Sequence, residues 1–278
     1  MKECKIIKEV RGMRTSDGAG VNLVRVLGHG DVKDFDPFLM LDSFDSTNPD
    51  DYTAGFPMHP HRGIETITYL IQGEIEHEDS LGNKDTIHAG EAQWMTAGSG
   101  ILHQEMPQAS ERMLGFQLWL NLSADKKMTD PAYLSIEEGD IGLVDIDGAR
   151  IRVLSGAYRN AKGVTPHYIP ATIYDIAIEK SRTVDIPTIP GETAFVFLIE
   201  GDAIIDDRRI ASKTAVLFGE GDHIVVKAPD EREVRAIFYS GKPLHEPISW
   251  GGPIVMNTKE ELNFAYEELR RGTFIKHK

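Results

Sequence analysis

The chain has 278 residues, 41% of them apolar, enough for one large or two ordinary domains with real cores, which excludes a disordered chain. Thirty Lys and Arg against 44 Asp and Glu leave a net charge of −14, an acidity that argues against direct binding to nucleic acid or to an anionic membrane, since both need a basic footprint. A soluble cytoplasmic protein is expected: MKECKIIKEV has no apolar h-region, no apolar run reaches membrane length, and the single cysteine, Cys4, cannot close an internal disulfide and reads as an ordinary thiol.

In chain order, the first stretch with chemical character is FPMHPHRGIE, residues 56 to 65. Next, ETITYLIQGEIEHED alternates, breaks at Ser80-Leu81-Gly82-Asn83, and resumes as KDTIHAGEAQWMTAG. Period-two segments separated by Gly and Asn are hairpin grammar. Asp125 to Leu134 is polar, contains Pro131 and reads as part of a connector. TAFVFLIEGDAIIDD, TAVLFGEGDHIVVKAP and EVRAIFYSG repeat the strand pattern. Helical signal is sparse and clearest near the end of the chain. There Thr258 and Glu261 have capping-box spacing, and Leu262, Ala265, Tyr266 and Leu269 recur at i, i+3, i+4 and i+7. Many short strands and few helices predict an all-β sandwich or barrel.

Residues i and i+2 of a strand share a face, roughly 6.6 Å apart. His59 and His61 therefore look the same way, with Pro60 opposite. If the strand runs on unbroken, Glu65, Ile67, Tyr69 and Ile71 share that face, and its apolar members make it inward. His103 and Glu105 repeat the spacing after the turn Gly98-Ser99-Gly100, whose glycines let the backbone bend tightly. Three imidazoles and a carboxylate make a ligand set for Fe(II), Mn, Ni, Cu or Zn at about 2.0–2.2 Å. Four such ligands in an octahedron leave two positions for water, substrate or O2. The alternative is hydrogen-bonded core histidines. It has to account for several buried polar groups, each costing about 1–3 kcal/mol if unpaired; coordination accounts for them together. His29, His77, His88, His167, His223, His245 and His277 show no such grouping and read as surface or locally satisfied residues.

The chain also resembles itself. GIETITYLIQGEI from Gly63 lies over GETAFVFLIEGDA from Gly191, and GEAQWMTAG from Gly90 over GDHIVVKAP from Gly221. This register puts Pro187 and Ile189 in place of His59 and His61, and Val234 and Ala236 in place of His103 and Glu105. None of the four can ligate, so the second half is expected to lack a metal centre.

HxH followed by Glu65 and Gly73 resembles the first cupin motif. Gly90 through Gly98-Ser99-Gly100-Ile101-Leu102-His103 resembles the second. More specifically, FPMHPHRGIETITYLIQGEIEHEDSLGN, GEAQWMTAGSGILHQEMP and EPISWGGPIVMNT are similar to the pirin family. The resemblance implies two tandem cupin (jelly-roll-like) β-barrels packed face to face with a short C-terminal helix. Residues 1–135 would form the metal-binding barrel and 145–278 a second barrel without ligands. It implies one divalent metal, Fe(II) in first place with Mn, Ni, Cu and Zn open, on His59, His61, His103 and Glu105. Glu65, the generic cupin position, is then kept beside the site or as a substitute ligand. The implied activity is quercetin 2,3-dioxygenase-like cleavage of a flavonol with O2. Glu105 would act as base, and Phe56, Met58, Trp94 and Met95 are candidates for the pocket wall. The alternative is a non-enzymatic metal-binding redox sensor that works through a protein partner, as a transcription cofactor does. Two barrels that pack on each other suggest a monomer.

Overall fold

The computed structural model describes residues 2–277. The alternating segments become short strands, many of them stopped where glycine or proline interrupts the pattern. The first half carries β1 (Ile6–Arg11), β2 (Met13–Asp17), β3 (Val21–Leu27), β4 (Phe38–Ser46), β5 (Phe56–His61) and β6 (Ile64–Gln72). It continues with β7 (Ile75–Asp79), β8 (Lys84–Ile87), β9 (Ala92–Thr96), β10 (Ile101–Pro107), β11 (Met113–Asn121) and β12 (Ala132–Ile136). The second half carries β13 (Gly142–Ile146), β14 (Ala149–Ser155), β15 (Ala157–Tyr158), β16 (Ala161–Lys162), β17 (Thr172–Ile178) and β18 (Thr183–Pro187). After these come β19 (Thr193–Glu200), β20 (Ala203–Ile205), β21 (Arg208–Ile210), β22 (Thr214–Phe218), β23 (His223–Lys227) and β24 (Val234–Gly241). A small hairpin of β25 (Ser249–Gly251) and β26 (Ile254–Met256) leads into α1 (Lys259–Arg271). This helix starts on the expected capping box of Thr258 and Glu261 and ends on Gly272. Among the described residues no helix is long and apolar enough to cross a membrane.

Each half builds one seven-stranded and one four-stranded antiparallel sheet. The metal-candidate barrel has the orders β12-β9-β6-β11-β4-β3-β2 and β5-β10-β7-β8. The other has β1-β22-β19-β24-β17-β14-β13 and β18-β23-β20-β21. The two lists match strand for strand, so the duplication seen in the sequence is a duplication of topology.

The division of the chain differs from the sequence boundaries at both ends. One compact unit joins the N-terminal segment through Met13, with Lys33–Pro37, to Glu138–Pro243. The other joins Arg14–Val32 and Phe38–Glu137 to the tail from Leu244 on. Ladder pairing is the reason. β1 extends the second barrel by pairing with β22, whereas in the tail Ile254 bridges to Arg62 and the Val255 N–H donates to the Arg62 carbonyl. The expected connector at Asp125–Leu134 is also partly strand. Leu134 pairs with Trp94, so β12 forms the edge that β1 forms in the other barrel.

The first block of the internal alignment holds in the backbone. Gly63 and Gly191 take φ 77° and 83°, and Gly73 and Gly201 take 100° and 74°, values that favour glycine. The second block does not hold. It laid β9 on β23, but by strand order β9 corresponds to β22 and β10 to β23. Val234 and Ala236 lie on β24, the counterpart of β11. The buried residues of β23 are Ile224 and Val226. Ile224 pairs with Ile186 as His103 pairs with His59, so Ile186, Ile224 and Val226 stand where the first barrel has His59, His103 and Glu105.

Candidate metal centre

β5 and β10 are antiparallel neighbours, with His103 opposite His59 and Ile101 opposite His61. This register gathers the three histidines, and their donor atoms all lie within 4.8 Å of one another. His61 is 2% and His103 0% exposed, and His59 is half-buried at the edge of the cavity.

Hydrogen bonds fix the tautomers. His59 Nδ1–H donates to the Pro57 carbonyl at 2.9 Å, and His61 Nδ1–H donates to the Pro253 carbonyl at 2.9 Å. A carbonyl only accepts, so in each neutral ring the lone pair sits on Nε2. These two Nε2 atoms are 3.0 Å apart. Two lone pairs at that distance repel unless a proton or a cation lies between them. Burial, with the charge of His59 as a second cause, pushes the His61 pKa down to about 3. Burial likewise holds His103 well below the usual histidine range, helped by His61, His59 and His77. Among the described residues neither His103 nitrogen has a hydrogen-bond partner, and a buried unpaired polar group is costly. Converging Nε2 atoms, an unpaired His103, and burial that favours the neutral form of His61 and His103 are the donor set a divalent transition metal needs. The cluster fits a metal.

Glu105 does not belong to the converging trio. Its carboxylate is 2% exposed and held by three neutral donors. Thr68 Oγ1 and Gln93 Nε2 donate to Oε1 at 2.9 and 2.5 Å, and Gln117 Nε2 donates to Oε2 at 2.6 Å. The amides are themselves oriented. Trp119 Nε1 donates to Gln117 Oε1 at 3.1 Å, and the Tyr133 hydroxyl, 2.8 Å from Asp85, lies 3.2 Å from Gln93 Oε1. An ionised carboxylate has about four lone-pair sites. Three are used here, leaving one on Oε2.

The parity argument that turned His59 and His61 inward fails at Gly63. β5 ends at His61, and β6 starts in the other sheet. Thr68 meets Glu105 across the barrel, so its face of β6 is the inner one, and Glu65, Ile67 and Tyr69 take the opposite face. Glu65 is fully buried and accepts from Thr96 Oγ1 at 2.8 Å. It is not part of the histidine cluster. Of the expected wall residues, Phe56 lines the cavity, while Met58, Trp94 and Met95 do not.

The cavity holds about 560 Å³. His59, His61 and Glu105 open onto it, Trp119 and Trp250 form an aromatic wall, and Arg25 and Asp42 form a charged one. Arg25 grips the buried Asp42 with Nε at 2.9 Å and Nη2 at 2.7 Å. His29, read from the sequence as surface or locally satisfied, is exposed; it stacks on Trp250 at 3.8 Å and lines this cavity. His77, read the same way, is 2% exposed, stacks on Tyr133 and lies 5.5 Å from the His103 ring, with Nε2 3.1 Å from Asp79. His77 and Asp79 have the same i, i+2 spacing as His103 and Glu105, a signal that was available in GEIEHED.

Family models match at residues 20–120, described as Pirin, and at 173–275, described as the Pirin C-terminal cupin domain. The chain belongs to the pirin family. A pirin-like protein of Caulobacter vibrioides is 40% identical over 97% of this chain and 98% of its own. The pirin of Homo sapiens is 36% identical over 96% and 92%. A crystal structure of quercetin 2,3-dioxygenase from Acinetobacter baumannii superposes with a TM-score of 0.89 at 33% identity, covering 98% of both chains. This pirin is thus a two-cupin protein whose first barrel carries a histidine cluster compatible with a metal.

Proposed function

We propose that this pirin is a metal-dependent dioxygenase that cleaves a flavonol such as quercetin with O2. His59, His61 and His103 hold one divalent metal, Fe(II) before Mn, Ni, Cu or Zn. The observation that carries this reading is the pair of Nε2 lone pairs 3.0 Å apart beside the unpaired His103, on an open aromatic cavity. The structural likeness to a protein named as a quercetin 2,3-dioxygenase supports the choice of substrate class. A bound metal supplies a Lewis acid that lowers the pKa of a phenolic hydroxyl.

The chain's own residues do the rest. His61 and His59 keep Nε2 aimed by donating Nδ1–H to carbonyls. Trp119 and Trp250 offer planar apolar faces to an aromatic ring. Glu105 has one unused lone pair, on Oε2, and its role follows from that count. It either completes the metal's ligand set or takes the substrate's hydroxyl proton, and it cannot do both at once.

The test is elemental analysis of protein purified without chelator, then oxygen uptake with quercetin in the iron-loaded form. Stoichiometric iron with uptake that vanishes in Glu105→Ala is the expected result. Stoichiometric metal with no uptake would overturn the enzyme and leave a metal-binding protein that acts through a partner.

A further inference from the structure

Arg62 follows the ligand candidate His61 directly, and its long cationic side chain is 1% exposed. Each of its three nitrogens donates to a different segment. Nε donates to the Ser99 carbonyl at 2.7 Å, Nη1 to Glu268 Oε2 at 2.6 Å, and Nη2 to the Phe274 carbonyl at 2.9 Å. The guanidinium also lies over the Phe274 ring, 4.1 Å from its centroid. Ser99 belongs to the glycine turn that feeds His103. Glu268 is on α1, and Phe274 lies in the tail beyond it. One side chain therefore ties the C-terminal tail to both histidine strands.

The backbone beside it is equally tight. The Val255 N–H donates to the Arg62 carbonyl at 3.1 Å. Gly63 has φ 77°, and a Cβ there would lie 2.0 Å from the Val255 carbonyl oxygen, so the tail strand lies directly on the turn after His61. This contact is what places the Pro253 carbonyl 2.9 Å from His61 Nδ1. Farther on, His277 Nε2 is 3.1 Å from Ser80 Oγ, which accepts from the Leu102 N–H next to His103.

We propose that Arg62 is a positioning residue that couples docking of the C-terminal tail to metal binding by His61 and His103. The proposal rests on the metal reading above. The tail presents the carbonyl that fixes the His61 tautomer, and Arg62 holds the tail. A planar fork with several donors suits this role, and a point-charge lysine does not. Coupling between two binding events is reciprocal, so a metal at the histidines must tighten the tail by the factor by which the tail tightens the metal.

The experiment uses the full-length chain and Co(II) alone as probe. Affinity is read by chelator competition, ligand geometry by the visible cobalt spectrum, and tail docking by hydrogen exchange of residues 254–275. Cobalt should slow exchange of the tail in the unmodified protein. Arg62→Gln should weaken cobalt by about tenfold, as loss of outer-shell support does, shift the spectrum, and abolish the protection of the tail. Cobalt that leaves tail exchange unchanged in the unmodified protein overturns the proposal without any variant. So does Arg62→Gln with the unmodified protein's affinity and spectrum. Failure of the underlying metal reading looks different: the unmodified chain would not take up one cobalt, or His61→Ala would retain it.

Discussion

Across three central strands of the large sheet, the first barrel reads Gln93, Thr68 and Gln117, each paired to the next. The second barrel, at the same place in the same ladder, reads Val216, Val196 and Phe238. The facing strands differ in the same way: His59, His103 and Glu105 against Ile186, Ile224 and Val226. All six of these second-barrel residues are fully or almost fully buried members of one apolar core. The strand order is common to both barrels, so backbone pairing does not dictate what fills the interior. Apolar filling gives the second barrel a self-sufficient core. Polar filling gives the first a caged carboxylate and an unpaired imidazole at His103, which cost stability in exchange for a site.

Several measurements would break or sharpen this contrast. The largest effect is expected at the proposed ligands: His61→Ala should abolish stoichiometric metal, and anomalous scattering from the loaded protein should show one peak, in the first barrel. A peak among Ile186, Ile224 and Val226 or beside Val234 and Ala236 would end the contrast. Next, Val226→Glu puts a carboxylate at the Glu105 position without its three donors. An unpaired buried charge should cost about 4 kcal/mol, read as a lowered urea midpoint; an unchanged midpoint would mean that the second barrel tolerates a polar interior after all.

A third measurement concerns Lys127, 2% exposed in the first barrel, whose Nζ donates to the Gly63 carbonyl and Asn121 Oδ1 at 2.8 and 2.5 Å. Burial pushes its pKa down to about 7, with Glu246 and Glu261 pulling the other way. Between that value and the ordinary lysine value of 10.5 the unfolded chain binds the extra proton, so stability should rise with pH across this window. A rise of about 5 kcal/mol across the full window that disappears in Lys127→Met is expected; the same slope in the variant would assign it to other groups. Smallest, Gln117→Leu removes one donor from Glu105 and should weaken metal by about tenfold in chelator competition, while Phe238→Leu, its second-barrel counterpart, should leave affinity unchanged.

The strands, the capped helix and the HxH and HxE pairs were legible because each is a local pattern, complete within a dozen residues. What was not legible depends on ladder register between distant strands. The amides Gln93 and Gln117 meet Glu105 only because β9, β6 and β11 align one particular way. The second block of the repeat slipped because Gly90 and Gly221 both precede strands, and glycine punctuates β9 and β23 alike. The inward parity reached the right face of His59 and His61 by a wrong route, since the turn at Gly63 resets the alternation. The exchange of termini was invisible for the same reason: an edge strand such as β1 shows its own alternation but not its partner.

That exchange of termini has a consequence for how the protein is made. A ribosome delivers the chain from its N-terminus, and domains generally fold in that order. β1 precedes every other described strand, yet its partner β22 lies about two hundred residues further on. The barrel with the histidines has nearly all its strands early but receives Pro253, Glu268 and Phe274 last. Each barrel therefore waits on a late segment, the second on β22 to pair with β1 and the first on the tail that carries Pro253. The histidines reach the geometry described above only after that tail has docked, so a metal that needs the Pro253 carbonyl in place would bind late in folding.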